Sequence, residues 1–90
     1  MKVENLENTA DRTPPQGYSS FKSFYVAKKG FWPPECSCFG CNEKPDVGAH
    51  VKKVGTYDNK WYIAPLCYYH NNQFGEEIEV CEGWLLPINE

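Results

Sequence analysis

Two short segments that contain cysteine and histidine constrain the fold of this 90-residue chain more than any other feature. Cys38 and Cys41 lie three residues apart in CSCFGC. Cys67 and His70 have the same separation in PLCYYHN. Zinc takes four sulfur and nitrogen ligands in a tetrahedron, and two residues three apart on a tight turn or a helix start can reach one ion. The pattern predicts a closed structural zinc site formed by Cys38, Cys41, Cys67 and His70.

The remaining cysteines leave one question open. Five cysteines are an odd number, and a reducing cytosol keeps them as thiols, which favours metal ligation over a disulfide framework. Cys36 and Cys81 lie outside the predicted site. Either Cys36 replaces Cys38 as a ligand, or Cys36 and Cys81 are buried thiols, and the second is the simpler expectation.

The small size of the chain indicates that its core alone provides too little stability and that a bound metal would help. Residues 1–17 (MKVENLENTADRTPPQG) have hardly any apolar side chains, so we expect them to be disordered and residues 18–90 to form a single domain. A domain of about 70 residues rarely obtains more than about 3 to 5 kcal/mol from its core alone. A structural zinc ion and the aromatic content of 16% would supply the missing stability.

Composition and charge narrow the functional classes. No apolar run approaches the roughly 20 residues of a membrane helix, and the start lacks the layout of a secretory signal, so we expect a cytoplasmic protein. Residues 18–71 carry seven lysines and four acidic residues, whereas residues 72–90 carry five glutamates and no base. This distribution is compatible with a modest phosphate-facing patch but lacks the strongly basic stripe of typical DNA-binding proteins.

Local patterns predict an α+β domain. Alternation and β-branched or aromatic residues predict extended segments or strands over 18–27, 47–54, 60–66 and 76–81. The turn-rich residues 55–59 join the second and third of these into a hairpin. From Cys67 a helix of about two turns leads to Gly75. The aromatic side chains that follow the turn, Trp61, Tyr62, Tyr68 and Tyr69, are expected to pack in the core rather than to stack on bases.

The order of these elements is that of a ββα-metal unit: a cysteine turn, a hairpin with a histidine, and a short helix that begins with the second ligand pair. Residues 38–74 resemble the HNH or His-Me finger nucleases, in which C-x-x-C precedes a histidine on the first strand and an apolar strand leads into L-C-x-x-[CH]. The corresponding segments are 38–41, 48–51 and 63–71. The resemblance implies a small zinc-stabilised treble-clef or HNH-like core with extra short strands.

The resemblance also implies a catalytic pair. In such nucleases the strand histidine is the general base that activates water, and a helix residue holds a divalent ion on the scissile phosphate. His50 and Asn71 occupy these positions, with Mg²⁺ or Mn²⁺ as the ion. Alternatively, His50 is an ordinary strand histidine and Asn71 a polar or capping residue near the helix end.

Two functions from different classes follow. Ala49 stands where many family members have an acidic residue, Tyr62 replaces a loop-stabilising asparagine, and Arg12, the only arginine, precedes the domain. We therefore expect a zinc-binding module that binds nucleic acid, DNA rather than RNA, or a protein without cleaving it. The alternative is a divalent-metal-dependent endonuclease that uses His50 and Asn71. The sequence gives no oligomeric state.

Overall fold

The architecture is a five-stranded antiparallel sheet with two α-helices, seen in a computed structural model that describes residues 1–6, 14–56, 60–72 and 76–88. The sheet has the strand order β4-β1-β2-β3-β5, and every neighbouring pair is antiparallel. The predicted α+β class is therefore confirmed. In chain order the elements are β1 Lys2–Asn5, α1 Phe21–Lys29, β2 Val47–Lys53, β3 Trp61–Leu66, α2 Tyr68–Asn71, β4 Glu77–Glu79, a short 3-10 helix Glu82–Trp84, and β5 Leu86–Ile88.

The predicted hairpin is present as β2 and β3. Val47 pairs with Leu66 and His50 pairs with Ile63. Residues 57–59 of the predicted turn lie outside the described residues. Gly48 permits the close packing of this hairpin against α1, because a Cβ atom there would lie 2.9 Å from the Cγ2 of Ile63 and 3.5 Å from the backbone of α1.

The extended segment predicted over residues 18–27 is wrong, because α1 begins within it. Ser20 and Ser23 form a capping box: the Ser20 hydroxyl accepts from the Ser23 N–H at 3.0 Å, and the Ser23 hydroxyl accepts from the Ser20 N–H at 3.1 Å. Gly30, with φ of 89°, ends the helix by donating its N–H to the Val26 carbonyl at 2.7 Å. These caps outweigh the β propensity of the aromatic residues.

The N-terminal segment also differs from expectation. Residues 2–5, which we expected to be disordered, form β1 in the interior of the sheet between β4 and β2. Val3 is fully buried and Asn5 nearly so, while their neighbours in the strand are exposed. A strand paired on both sides satisfies its backbone and needs few apolar side chains, so polar composition concealed it. Residues 7–13 lie outside the described residues.

The two faces of the sheet carry separate apolar clusters. The face that we call the cysteine face carries Ala49, Val51 and Tyr62 in one cluster together with Cys36 and Cys67. The opposite face, which we call the helix face, is packed under α1 and carries a cluster of Phe24, Tyr25, Ile63 and Ile88. Because successive side chains of a strand point to opposite faces, the central hairpin contributes to both clusters.

The C-terminal segments close the two edges of the sheet. The strand predicted over 76–81 is present as the shorter β4, and Val80 continues it in a bridge with Cys38. β5 pairs with β3, and its exposed Pro87 lies on an edge strand, where a missing N–H is tolerated. α2 begins at the predicted position, and residues 73–75 of the predicted helix lie outside the described residues. No helix in the described ranges is long and apolar enough to cross a membrane.

Candidate metal centre

A loop between α1 and β2, which we call the cysteine loop (residues 33–46), supplies the first two candidate ligands. The N–H of Cys36 donates to the carbonyl of Glu43 at 2.8 Å, which folds the loop back on itself. Within it, the N–H of Cys41 donates to the carbonyl of Cys38 at 3.1 Å, and Gly40 takes the positive φ of 78° that this tight turn requires. The loop is thereby shaped around its cysteine side chains.

The second ligand pair follows directly from β3. Cys67 is the residue before α2, and its carbonyl accepts from the N–H of Asn71 at 2.9 Å. The carboxylate of Asp46 accepts from the N–H of Tyr68 at 3.0 Å and so fixes the start of this short helix. His70 lies three residues after Cys67, which places both side chains on the same side of the helix turn.

Four ligand atoms converge at this point. One atom each from Cys36, Cys41, Cys67 and His70 lies within 4.8 Å of the other three. The sulfurs of Cys41 and Cys67 are 3.9 Å apart, and the Nδ1 atom of His70 is 3.2 Å from the sulfur of Cys67 and 3.6 Å from that of Cys36. A tetrahedral zinc ion would place sulfurs about 3.8 Å from each other and about 3.5 Å from a nitrogen ligand. The group could therefore hold a metal such as zinc.

The surroundings of Cys36 disfavour a free thiolate there. Cys36 and Cys67 are buried, and burial raises the pKa of the Cys36 thiol to about 12, with a further contribution from the neighbouring sulfurs. The Cys36 thiol therefore stays protonated until a metal ion replaces its proton. The N–H of Cys67 points at the sulfur of Cys36 at 3.4 Å, a contact that would support a thiolate there.

Of the predicted ligands, the structure brings together Cys41, Cys67 and His70 but not Cys38. Cys36 takes the fourth position, which was the alternative considered from the sequence. The backbone of Cys38 is held in the bridge to Val80, and its half-buried thiol lies 3.8 Å from the carbonyl of Phe39. Spacing alone does not distinguish Cys36 from Cys38, because a folded loop can present either one beside Cys41. The simpler expectation, that Cys36 and Cys81 are both buried thiols, is therefore wrong: Cys36 joins the cluster and Cys81 is only half-buried.

His50 lies on the helix face, away from the metal centre. Its ring is buried and makes an edge-to-face contact with Phe21 at a centroid distance of 4.1 Å. The centroid of the Trp61 ring lies 6.1 Å from that of His50. Its strand neighbours Ala49 and Val51 belong to the cysteine-face cluster, as alternation requires.

Asn71 lies on the cysteine face instead. Its side-chain oxygen accepts from the amide of Asn5 at 3.2 Å, and its backbone carbonyl accepts from the same amide. Asn5 is paired with Val51, which places the Asn5 side chain on the cysteine face. The sheet therefore separates His50 from Asn71, and the two predicted catalytic residues are not brought together.

Several residues that shape this region were not expected from the sequence. Tyr68 and Tyr69, which we expected in the core, are exposed, whereas Tyr62 is buried as predicted. Asp46 precedes β2 in the segment KPDV and gave no signal that it would contact a helix 22 residues later.

In comparisons with known proteins, no family model, curated protein or solved structure matches this chain.

Proposed function

We propose that this chain is a small zinc-binding module that binds a partner and does not cleave nucleic acid. The observation that carries this proposal is the convergence of Cys36, Cys41, Cys67 and His70 within 4.8 Å. Four protein ligands complete a tetrahedral zinc site, and such closed sites are structural, whereas catalytic zinc sites keep one position for water or substrate.

The proposed ion would connect three parts of the fold. It would join the cysteine loop to the end of β3 and to α2, and two of its ligands, Cys36 and Cys67, belong to the apolar cluster of the cysteine face. In a domain of this size, binding such an ion is a large share of the folding free energy. The role of the metal would therefore be to stabilise the surface around it.

The non-cleaving proposal is supported by the placement of His50 and Asn71. A metal-dependent nuclease needs its general base and its metal ligand at one phosphate, with the base within hydrogen-bond reach of the water. His50 is buried against Phe21, and the Asn71 oxygen already accepts from Asn5. An endonuclease that uses these residues with Mg²⁺ or Mn²⁺ is the alternative, and it has less support.

We also infer that the hairpin β2–β3 and α2, preceded by the cysteine loop, form a degenerate ββα-metal unit. The order of these elements along the chain supports this relation to the HNH nucleases. The remaining strands would be additions that extend the sheet from the two edges of the hairpin, and α1 would be an addition that covers its helix face. This relation predicts a metal centre without a cleavage site.

Metal analysis of the purified chain, combined with a cleavage assay, tests the proposal. We expect one zinc ion per chain and no nicking of plasmid or single-stranded DNA when Mg²⁺ or Mn²⁺ is added. Cleavage that disappears in His50→Ala would establish the nuclease and reject the non-cleaving module. A folded chain without bound metal would reject the metal centre itself.

A further inference from the structure

A groove of about 450 Å³ opens directly beside the metal centre. Two tyrosines form part of its wall, with side chains that are 61% (Tyr68) and 70% (Tyr69) exposed. The Tyr69 ring meets the ring of His70 nearly at right angles, with centroids 5.1 Å apart. The rest of the lining consists of Cys41, Glu43, Asp46, Cys67 and His70.

The exposed tyrosines indicate a contact surface. In the described part of the chain four large apolar side chains are exposed, and two of them line this one groove. Tyrosine is enriched at interfaces because it combines a large apolar ring with a polar hydroxyl. The edge contact of the Tyr69 ring with His70 leaves most of the tyrosine side chain open to a partner.

The negative charge of the groove favours a positively charged partner. Glu43 and Asp46 line it, Lys44 between them does not, and neither carboxylate has a salt bridge to any residue in the described ranges. One oxygen of Asp46 accepts from the N–H of Tyr68, which leaves the other oxygen available. A zinc ion bound to three thiolates and one neutral imidazole adds a further negative charge.

We propose that this groove binds an arginine side chain of a partner protein. A guanidinium group stacks on tyrosine rings and pairs with carboxylates, so one side chain uses both features of the groove. A nucleic acid fits less well, because its phosphates would face Glu43, Asp46 and the anionic metal centre. The inference rests on the proposed zinc centre, which contributes part of the charge and fixes His70.

A peptide titration of the isotope-labelled, zinc-loaded chain tests this inference, with the amide resonances followed by NMR. The probe is an alternating alanine–arginine peptide, and the matched control peptide has glutamine in place of arginine. We expect saturable shifts at residues 43–46 and 67–70 with the arginine peptide alone. Tyr69→Ala and Glu43→Gln should each weaken binding at least about fivefold, the effect of losing one such contact.

Two variants outside the groove serve as controls. Phe31→Ala removes another exposed aromatic side chain, and Glu77→Gln removes an exposed carboxylate on the helix face of the sheet. Both should bind the arginine peptide as the parent chain does. Equal shifts with the glutamine peptide would overturn the inference. So would shifts at residues 43–46 and 67–70 with oligothymidylate but not with the arginine peptide. Zinc content is measured on the same samples: zinc without arginine binding rejects this inference alone, and absence of zinc rejects the metal centre as well.

Discussion

The backbone N–H of Cys67 points at the sulfur of Cys36 across a distance of 3.4 Å. This contact joins the cysteine loop to the entrance of α2, although the two residues are 31 positions apart. It also explains why Cys36, rather than Cys38, lies with the other ligand atoms, because a sulfur held by this N–H faces His70 at 3.6 Å. The composition of the candidate ligand set is thus a consequence of how the loop docks on the end of β3.

Single substitutions of Cys36 and Cys38 should show which of the two cysteines binds the metal. Cys36→Ser removes a ligand and should lower the zinc affinity by more than about 100-fold, since even residues that only support a ligand cost about 10- to 100-fold. Cys38→Ser should leave zinc affinity and thermal stability close to those of the parent chain. Competition with a chromophoric chelator measures the zinc affinity of each variant, and thermal unfolding measures its stability. The reverse ranking would show that Cys38 is the ligand.

The Asn5 side chain should contribute to stability as a buried donor. Its amide is 3% exposed and donates to both the side chain and the backbone carbonyl of Asn71. Asn5→Ala leaves these acceptors without that donor and should lower the free energy of unfolding by about 1–3 kcal/mol. Urea denaturation of the zinc-loaded chain measures the change. The exposed Glu4→Ala is the control, and an equally small effect of both would contradict the role of Asn5.

The capping box of α1 gives a second stability prediction. Ser20→Ala removes the hydroxyl that accepts from Ser23 and should lower the free energy of unfolding by about 1 kcal/mol. Ser19→Ala, at the preceding exposed position, should change it by no more than about 0.5 kcal/mol. Thermal unfolding followed by circular dichroism compares the two variants. Equal stability of Ser20→Ala and the parent chain would show that the capping box does not stabilise α1.

Stability should fall at alkaline pH because of Tyr25. Burial raises the pKa of Tyr25 to about 12 from a usual value of 10.0, and its hydroxyl donates to the carbonyl of Trp84 at 2.7 Å. The folded state thus favours the neutral phenol, so this contribution is complete below pH 10 and is lost as the pH rises towards 12. The loss should be about 2 kcal/mol. Denaturation across this range should show a steeper decline for the parent chain than for Tyr25→Phe.

The sequence predicts the centre of this fold better than its periphery. The hairpin could be predicted because alternation and turn residues are local signals. α1 was missed because two serines, rather than the aromatic residues, decide its start. β1 was missed because a strand paired on both sides needs only Val3 and Asn5 turned inward.

The candidate site divides in the same way. Cys41, Cys67 and His70 were predicted from spacing, since ligands three residues apart share a turn. The choice of Cys36 depends on how the loop docks on β3, which is a tertiary property. The separation of His50 from Asn71 likewise depends on which face of the sheet receives α2, and the order of elements does not specify it.

Zinc K-edge absorption spectroscopy of the purified chain identifies the atoms that bind the ion. We expect a four-coordinate ion with three sulfur ligands at about 2.3 Å and one nitrogen at about 2.0 Å. One sulfur should be lost from this shell in Cys36→Ser and none in Cys38→Ser. A shell of oxygen and nitrogen ligands, or an unchanged shell in Cys36→Ser, would contradict the proposed metal centre.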